Sequence, residues 1–149
     1  MIIDIHGHYT TAPKALENWR NAQIAGIKDP AAKPRVADLK ITDDELRETI
    51  EANQLKLMRE RGSDLTIFSP RASFMAHHIG DFEVSSTWAA ICNELCARIA
   101  KLFPDSFIGA AMLPPGWTIR TSVYAAGSVE TDLVLGDLVL YGRGDPTFS

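Results

Sequence analysis

The residues best suited to chemistry stand at the start of the chain, in Ile3-Asp4-Ile5-His6-Gly7-His8. On a β-strand, a spacing of two turns both imidazoles to one face, with Asp4 one step deeper on that face. Two imidazoles so placed can offer nitrogens to one divalent metal. They can equally be strand-end histidines in ordinary hydrogen bonds. Gly7 between them lets the strand end bend or another group approach closely. A second polar group, Arg71, Ser73, His77 and His78, follows an apolar run that ends at Ser69-Pro70. Cys92 and Cys96 are four apart in a helical pattern and therefore share a helix face. Small buried apolar residues explain that pair better than a zinc ligand set or a disulfide framework.

The elements that must position these residues follow from apolar periodicity. Ile2, Ile3 and Ile5 predict a short buried strand. Leu16, Trp19 and Ile24 suggest a modest amphipathic helix, followed by an irregular connection over 26–34. The clearest helix runs from Ile41 to Gly62. Thr42 and Glu45 form a capping box, Ile41 and Leu46 a hydrophobic staple, and Gly62 is the stop. Its buried side is expected to carry Leu46, Ile50, Leu57 and Met58. Leu65–Ser69 reads as a second strand stopped by Pro70. A second long helix, capped by Ser85 or Ser86, buries Trp88, Ile91, Cys92, Leu95, Ile99 and Leu102. Phe107 to Leu113 makes a third strand.

Strand, helix, strand, helix, strand with crossover helices predicts an α/β fold with parallel strands. Sites in such folds form at the carboxyl ends of the strands. His6 and His8 lie at one such end, and Ser69, Pro70 and Arg71 at another. Two strands thus deliver polar groups to one rim.

Bulk properties narrow the function. The chain of 149 residues has the length of one ordinary domain, with 46% hydrophobic and 23% charged residues. A net charge of −4 without a block of basic residues argues against nucleic-acid and acidic-membrane partners. No run approaches the ~20 apolar residues of a membrane span. No basic segment followed by an apolar run suggests a leader. A soluble protein of the reducing cytoplasm is expected.

The opening Ile3-Asp4-Ile5-His6-Gly7-His8 resembles the first strand of the amidohydrolase superfamily, in particular its hydratase branch. The likeness continues through His8-Tyr9-Thr10, Arg59-Glu60-Arg61-Gly62-Ser63-Asp64, Phe68-Ser69-Pro70-Arg71-Ala72-Ser73 and Met75-Ala76-His77-His78-Ile79-Gly80-Asp81. It extends from Phe103-Pro104-Asp105 to Ala110-Ala111-Met112-Leu113-Pro114. The resemblance implies a metal-dependent (β/α)8 barrel, with His6 and His8 as ligands of a divalent ion, usually zinc. It implies a lyase that adds water to a carbon–carbon double bond of an unsaturated oxo-tricarboxylic acid, in bacterial ring-cleavage catabolism of aromatic compounds. Arg71, Ser73, His77 and His78 would form the contacts to that small-molecule substrate, with at most one of the adjacent histidines reaching it because the two point different ways. The planar fork of Arg71 is the best match to a carboxylate. Asp4 does not carry over as a ligand, and no catalytic acid–base residue is identified. Related decarboxylases or hydrolases of the same superfamily are the alternative enzymatic reading.

The resemblance covers residues 1–114. From Pro115 to Ser149 the chain has no histidine, cysteine, lysine or methionine. Short strands are conceivable at Val123–Ala126, Leu133–Leu135 and Leu138–Tyr141, in a divergent tail. The expectation is therefore an incomplete barrel, truncated or frameshifted after Pro114, with three of eight strands and weak or no activity. Its alternative is a non-catalytic remnant that self-associates as a homo-oligomer.

Overall fold

The computed structural model describes residues 1–71, 76 and 78–112. The expected strands of the tail and the boundary at residue 114 lie outside these. The elements are β1 (Ile3–Tyr9), α1 (Lys14–Ala25), α2 (Asp43–Ala52), α3 (Gln54–Arg61), β2 (Leu65–Pro70), α4 (Phe82–Leu102) and β3 (Phe107–Gly109). Two single 3-10 turns, Pro30–Ala32 and Val36–Asp38, occupy the connection between α1 and α2. The strands form one parallel sheet in the order β1-β2-β3. Sequential parallel neighbours joined by helices form the pattern of a (β/α)8 barrel. A doubly wound sheet instead reverses its strand order at a switch point.

Local chemistry sets most element ends. Thr42 Oγ1 accepts from the Glu45 amide at 3.2 Å, while Glu45 returns a carboxylate oxygen to the Thr42 amide at 2.7 Å. Ile41 and Leu46 are both buried beside this box. Gly62 closes α3 in the left-handed region at φ 72°, which a residue with a Cβ adopts only at a cost.

The long helix expected over residues 41–62 is in fact two. Asn53 sits at φ −127°, ψ −86° between α2 and α3. Its side-chain amide donates to the Thr49 carbonyl at 2.9 Å, a local bond that competes with the helical ladder. The break shifts the helical phase. Leu55 becomes buried and Leu57, expected inside, is 44% exposed.

α4 also starts earlier than the sequence suggested. Asp81, not Ser85 or Ser86, is the cap, accepting from the Val84 amide at 2.9 Å. Ser85 is buried one turn inside, and Ser86 bonds back to the Glu83 carbonyl. β3 is shorter than expected. The Met112 backbone leaves the ladder for buried Asn93 on α4, whose amide both accepts from Met112 N at 2.7 Å and donates to Met112 O at 3.0 Å.

The core lies between the sheet and α4, with Trp88, Phe68, Leu46, Ile50, Leu95 and Ile99 fully buried. Trp19 of α1 stacks on Trp88 at 6.3 Å, while Ile24 is only half-buried. β1 departs most from expectation. Its isoleucines are exposed, Ile5 at 77%, because among the described residues β1 is an edge strand and α4 packs on β2 and β3 instead.

Candidate metal and substrate rim

The site begins with a register shift. β1 and β2 pair in register at Ile3 and Asp4 and again at Gly7, His8 and Tyr9, with an irregularity between Asp4 and Gly7. Asp4 folds its carboxylate onto the His6 amide at 2.9 Å, so it braces this irregular turn. Gly7 is required where the chain crosses β2. A Cβ there would stand 2.2 Å from Thr66 Cγ2 and 2.7 Å from the Ile67 carbonyl oxygen.

The irregular strand end turns the two imidazoles toward each other. His6 Nε2 and His8 Nε2 are 3.2 Å apart, with ring planes at 89°. Two nitrogens bonded to one zinc at a near-tetrahedral angle stand about 3.4 Å apart. His8 is anchored from behind by β2. Its Nδ1 lies 3.0 Å from the Pro70 carbonyl and 2.7 Å from Ser69 Oγ, and Ser69 donates its hydroxyl proton to the Gly7 carbonyl at 3.0 Å. The Pro70 carbonyl can only accept, so Nδ1 carries the proton and shares it with Ser69 Oγ. The Nε2 lone pair of His8 is then directed toward His6. Such a second-side hydrogen bond fixes the tautomer and orientation of metal-binding histidines.

The residues present fit a divalent metal as two of its ligands. Among the described residues no group of three or more His, Cys, Asp or Glu side chains could complete the set. The cysteines are not candidates. Both are buried on α4; burial pushes the Cys92 thiol up to about 12 and the Cys96 thiol well above its usual range. The reading of them as small core residues holds.

A small void lies in the core between Tyr9, Leu16, Trp88, Cys92 and Leu95 and reaches Pro70 and Arg71, with a free volume of about 10 Å³, the space of one water molecule. Arg71 is exposed at its edge, and its charge helps Lys14 hold the Glu17 carboxyl below the usual range. His78 is exposed in the turn before α4. Ser73 and His77 lie outside the described residues.

The loop after His8 is held from below. Gln54, the first residue of α3, accepts from Thr11 Oγ1 at 2.7 Å and donates to Thr10 Oγ1 at 3.1 Å. Tyr9 is buried, with its hydroxyl 2.6 Å from Thr49 Oγ1. Burial pushes the Tyr9 hydroxyl up to about 12, outweighing the hydrogen bond from Thr49, which lowers it. These supports, and Ser69 as the partner of His8, escaped the sequence pattern. The parallel register, pairing His8 with Ser69 and Tyr9 with Pro70, is the signal that locates the second of them.

The amidohydrolase family profile matches residues 3–139. The 2-keto-4-carboxy-3-hexenedioate hydratase of Sphingobium sp. (strain NBRC 103272 / SYK-6) is 58% identical over 114 residues, which are 76% of this chain and 33% of that protein. The crystal structure of 4-oxalomesaconate hydratase, LigJ, from Rhodopseudomonas palustris is similar with a TM-score of 0.75 and 62% identity, over 97% of this chain and 40% of that one. The chain thus spans between a third and two fifths of the length of these relatives.

Proposed function

The chain belongs to the amidohydrolase family, and on that premise we propose that its rim is part of a hydratase centre acting on a small unsaturated oxo-tricarboxylic acid of the 4-oxalomesaconate type. The family is generally metal-dependent, and zinc is the ion we propose among the transition metals that imidazole ligands suit. The observation that carries the reading is the convergence of His6 Nε2 and His8 Nε2 at 3.2 Å, with Nδ1 of His8 tied to Pro70. When bound, a divalent ion supplies Lewis acidity at this rim.

The chain's own groups have distinct tasks in hydration. His8 is held by β2 in the tautomer that presents a lone pair. His6 is placed beside it by the Asp4 brace. Arg71 offers a planar, always-charged fork for a carboxylate just past the end of β2. His78, exposed in the next turn, is the second described group within the substrate-binding segment, and Ser73 and His77 belong to the same proposal. A site for a polyanionic substrate with the cationic Arg71 on its approach gains in encounter rate as well as in orientation. The catabolism of aromatic ring-cleavage products in the cytoplasm is the setting that this chemistry suits.

An ultraviolet assay tests the reading. With zinc supplied, the purified chain is incubated with the conjugated substrate, and hydration removes the conjugation and its absorbance. Because the described residues hold two metal ligands, slow turnover is expected, abolished in His8→Ala. Release of carbon dioxide in place of hydration would move the chain to the decarboxylases of the same family. Turnover untouched by His8→Ala would refute the proposed centre.

A further inference from the structure

Arg20, on α1, is 3% exposed, and Gln23 one turn later is 2% exposed. A buried guanidinium is costly unless its environment compensates it. Among the described residues no carboxylate forms an ion pair with Arg20. Its compensation is of another kind. One nitrogen donates to Gln23 Oε1 at 2.6 Å, another reaches the Ala76 carbonyl at 3.4 Å, and the guanidinium lies 4.9 Å from the centre of the Trp88 ring. Gln23 in turn donates to the Val84 carbonyl at 3.1 Å. The two side chains therefore grip both sides of the turn that leads into α4.

That turn is under visible constraint. Ala76 has φ 35°, in the region where a Cβ is unfavourable, and its carbonyl is the one that Arg20 meets. Gly80, at φ 82°, approaches Val84 so closely that a Cβ would lie 2.8 Å from Val84 Cβ. In the sequence, Arg71 and His78 flank Ala76. A neutral apolar residue would fill the position of Arg20 without any desolvation cost, but could not hold a backbone carbonyl.

We propose that Arg20, oriented by Gln23 and Trp88, is a positioning residue that holds the Ala76 carbonyl and the start of α4, so that Arg71 and His78 are kept at the rim for a carboxylate-rich ligand. The ligand part of this rests on the hydratase reading above; the hold on the backbone does not. Arg20 touches no reacting atom in this scheme, and its effect passes through the connection between β2 and α4.

Hydrogen exchange on the full chain tests the hold directly. In Arg20→Met, amides in peptides spanning 71–84 are expected to exchange about tenfold faster, as the loss of a charged donor opens a local segment. Peptides of α2 and of residues 90–102 keep their wild-type rates. Arg20→Lys, which keeps the charge and one donor, recovers part of the protection. Faster exchange everywhere, or no change at 71–84, would overturn the proposal. Gln23→Leu is judged by the same local comparison and decides the matter should Arg20→Met not fold.

Calorimetry with tricarballylate as the probe then reads the ligand part. Its affinity is expected to fall about tenfold in Arg20→Met while zinc affinity stays unchanged. An unchanged tricarballylate affinity would overturn the link between Arg20 and the rim. Absence of tricarballylate binding to the wild-type chain would instead count against the substrate reading, and the exchange result would still decide the hold.

Discussion

At the scale of single residues, the rim depends on how little freedom His6 and His8 retain. Asp4 fixes the backbone at His6 through its amide, and Pro70 and Ser69 orient the His8 imidazole through Nδ1. A pair of imidazoles alone binds zinc weakly, and the described residues offer no third ligand beside them, so titration calorimetry should give an affinity on the order of micromolar or weaker. His6→Ala should abolish it. Tight binding that survives His6→Ala would place the metal elsewhere. Gly7 acts by absence of a side chain. Gly7→Ala forces a methyl against Thr66 and the Ile67 carbonyl, and should displace β1 and weaken zinc binding more than it lowers the melting temperature. Tyr9 gives the molecule an alkaline limit. Its hydroxyl titrates at about 12 in the folded chain, above the 10.0 of an exposed tyrosine, so the folded form favours the neutral phenol. The stability this contributes is complete below pH 10 and is lost as pH rises from 10 toward 12. Denaturation midpoints in that window should fall, and less so in Tyr9→Phe.

At the scale of elements, capping chemistry was readable where it is local. The Thr42–Glu45 box stands as the sequence indicated, because every partner lies within four residues. Thr42→Ala should cost about 1 kcal/mol by chemical denaturation, the usual value for a lost N-cap. The break at Asn53 was not readable. Asn is tolerated in a helix, and the partners that accompany the break, Thr10 and Thr11 bonded to Gln54, lie more than forty residues away in sequence. The cap of α4 was misplaced for a similar reason. Asp81 follows Gly80 at φ 82°, and that bend, rather than the serine pair, sets where the helix starts.

For the whole molecule, the same residue type takes opposite fates. Ile50 is fully buried between α2 and α4, whereas Ile5 on β1 is 77% exposed. Ile50→Ala should therefore cost about 2–5 kcal/mol, the range for a truncated buried aliphatic side chain. Ile5→Ala should stay within about 0.5 kcal/mol, as at other surface positions. Paired urea titrations check both at once. Equal losses would mean that β1 is covered in solution. Among the described residues, no helix is long and apolar enough to cross a membrane.

Periodicity and motif chemistry alone reached the parallel α/β order, the capping box, the Gly62 stop, the core stripe of α4 and the candidate pair His6 and His8. Each of these rests on neighbours a few residues apart, or on the repeat of an element. What needed the folded chain was everything made by contact between distant segments. The burial of β1 was misjudged because exposure depends on which strand has a second neighbour. Leu57 was misjudged because a single helical break resets the face. The anchoring of His8 by Ser69 and Pro70 needed the register of β1 against β2, about sixty residues away in sequence. A spacing of two brings two imidazoles near one another; only the neighbouring strand supplies the partners of His8 Nδ1 that leave Nε2 facing His6.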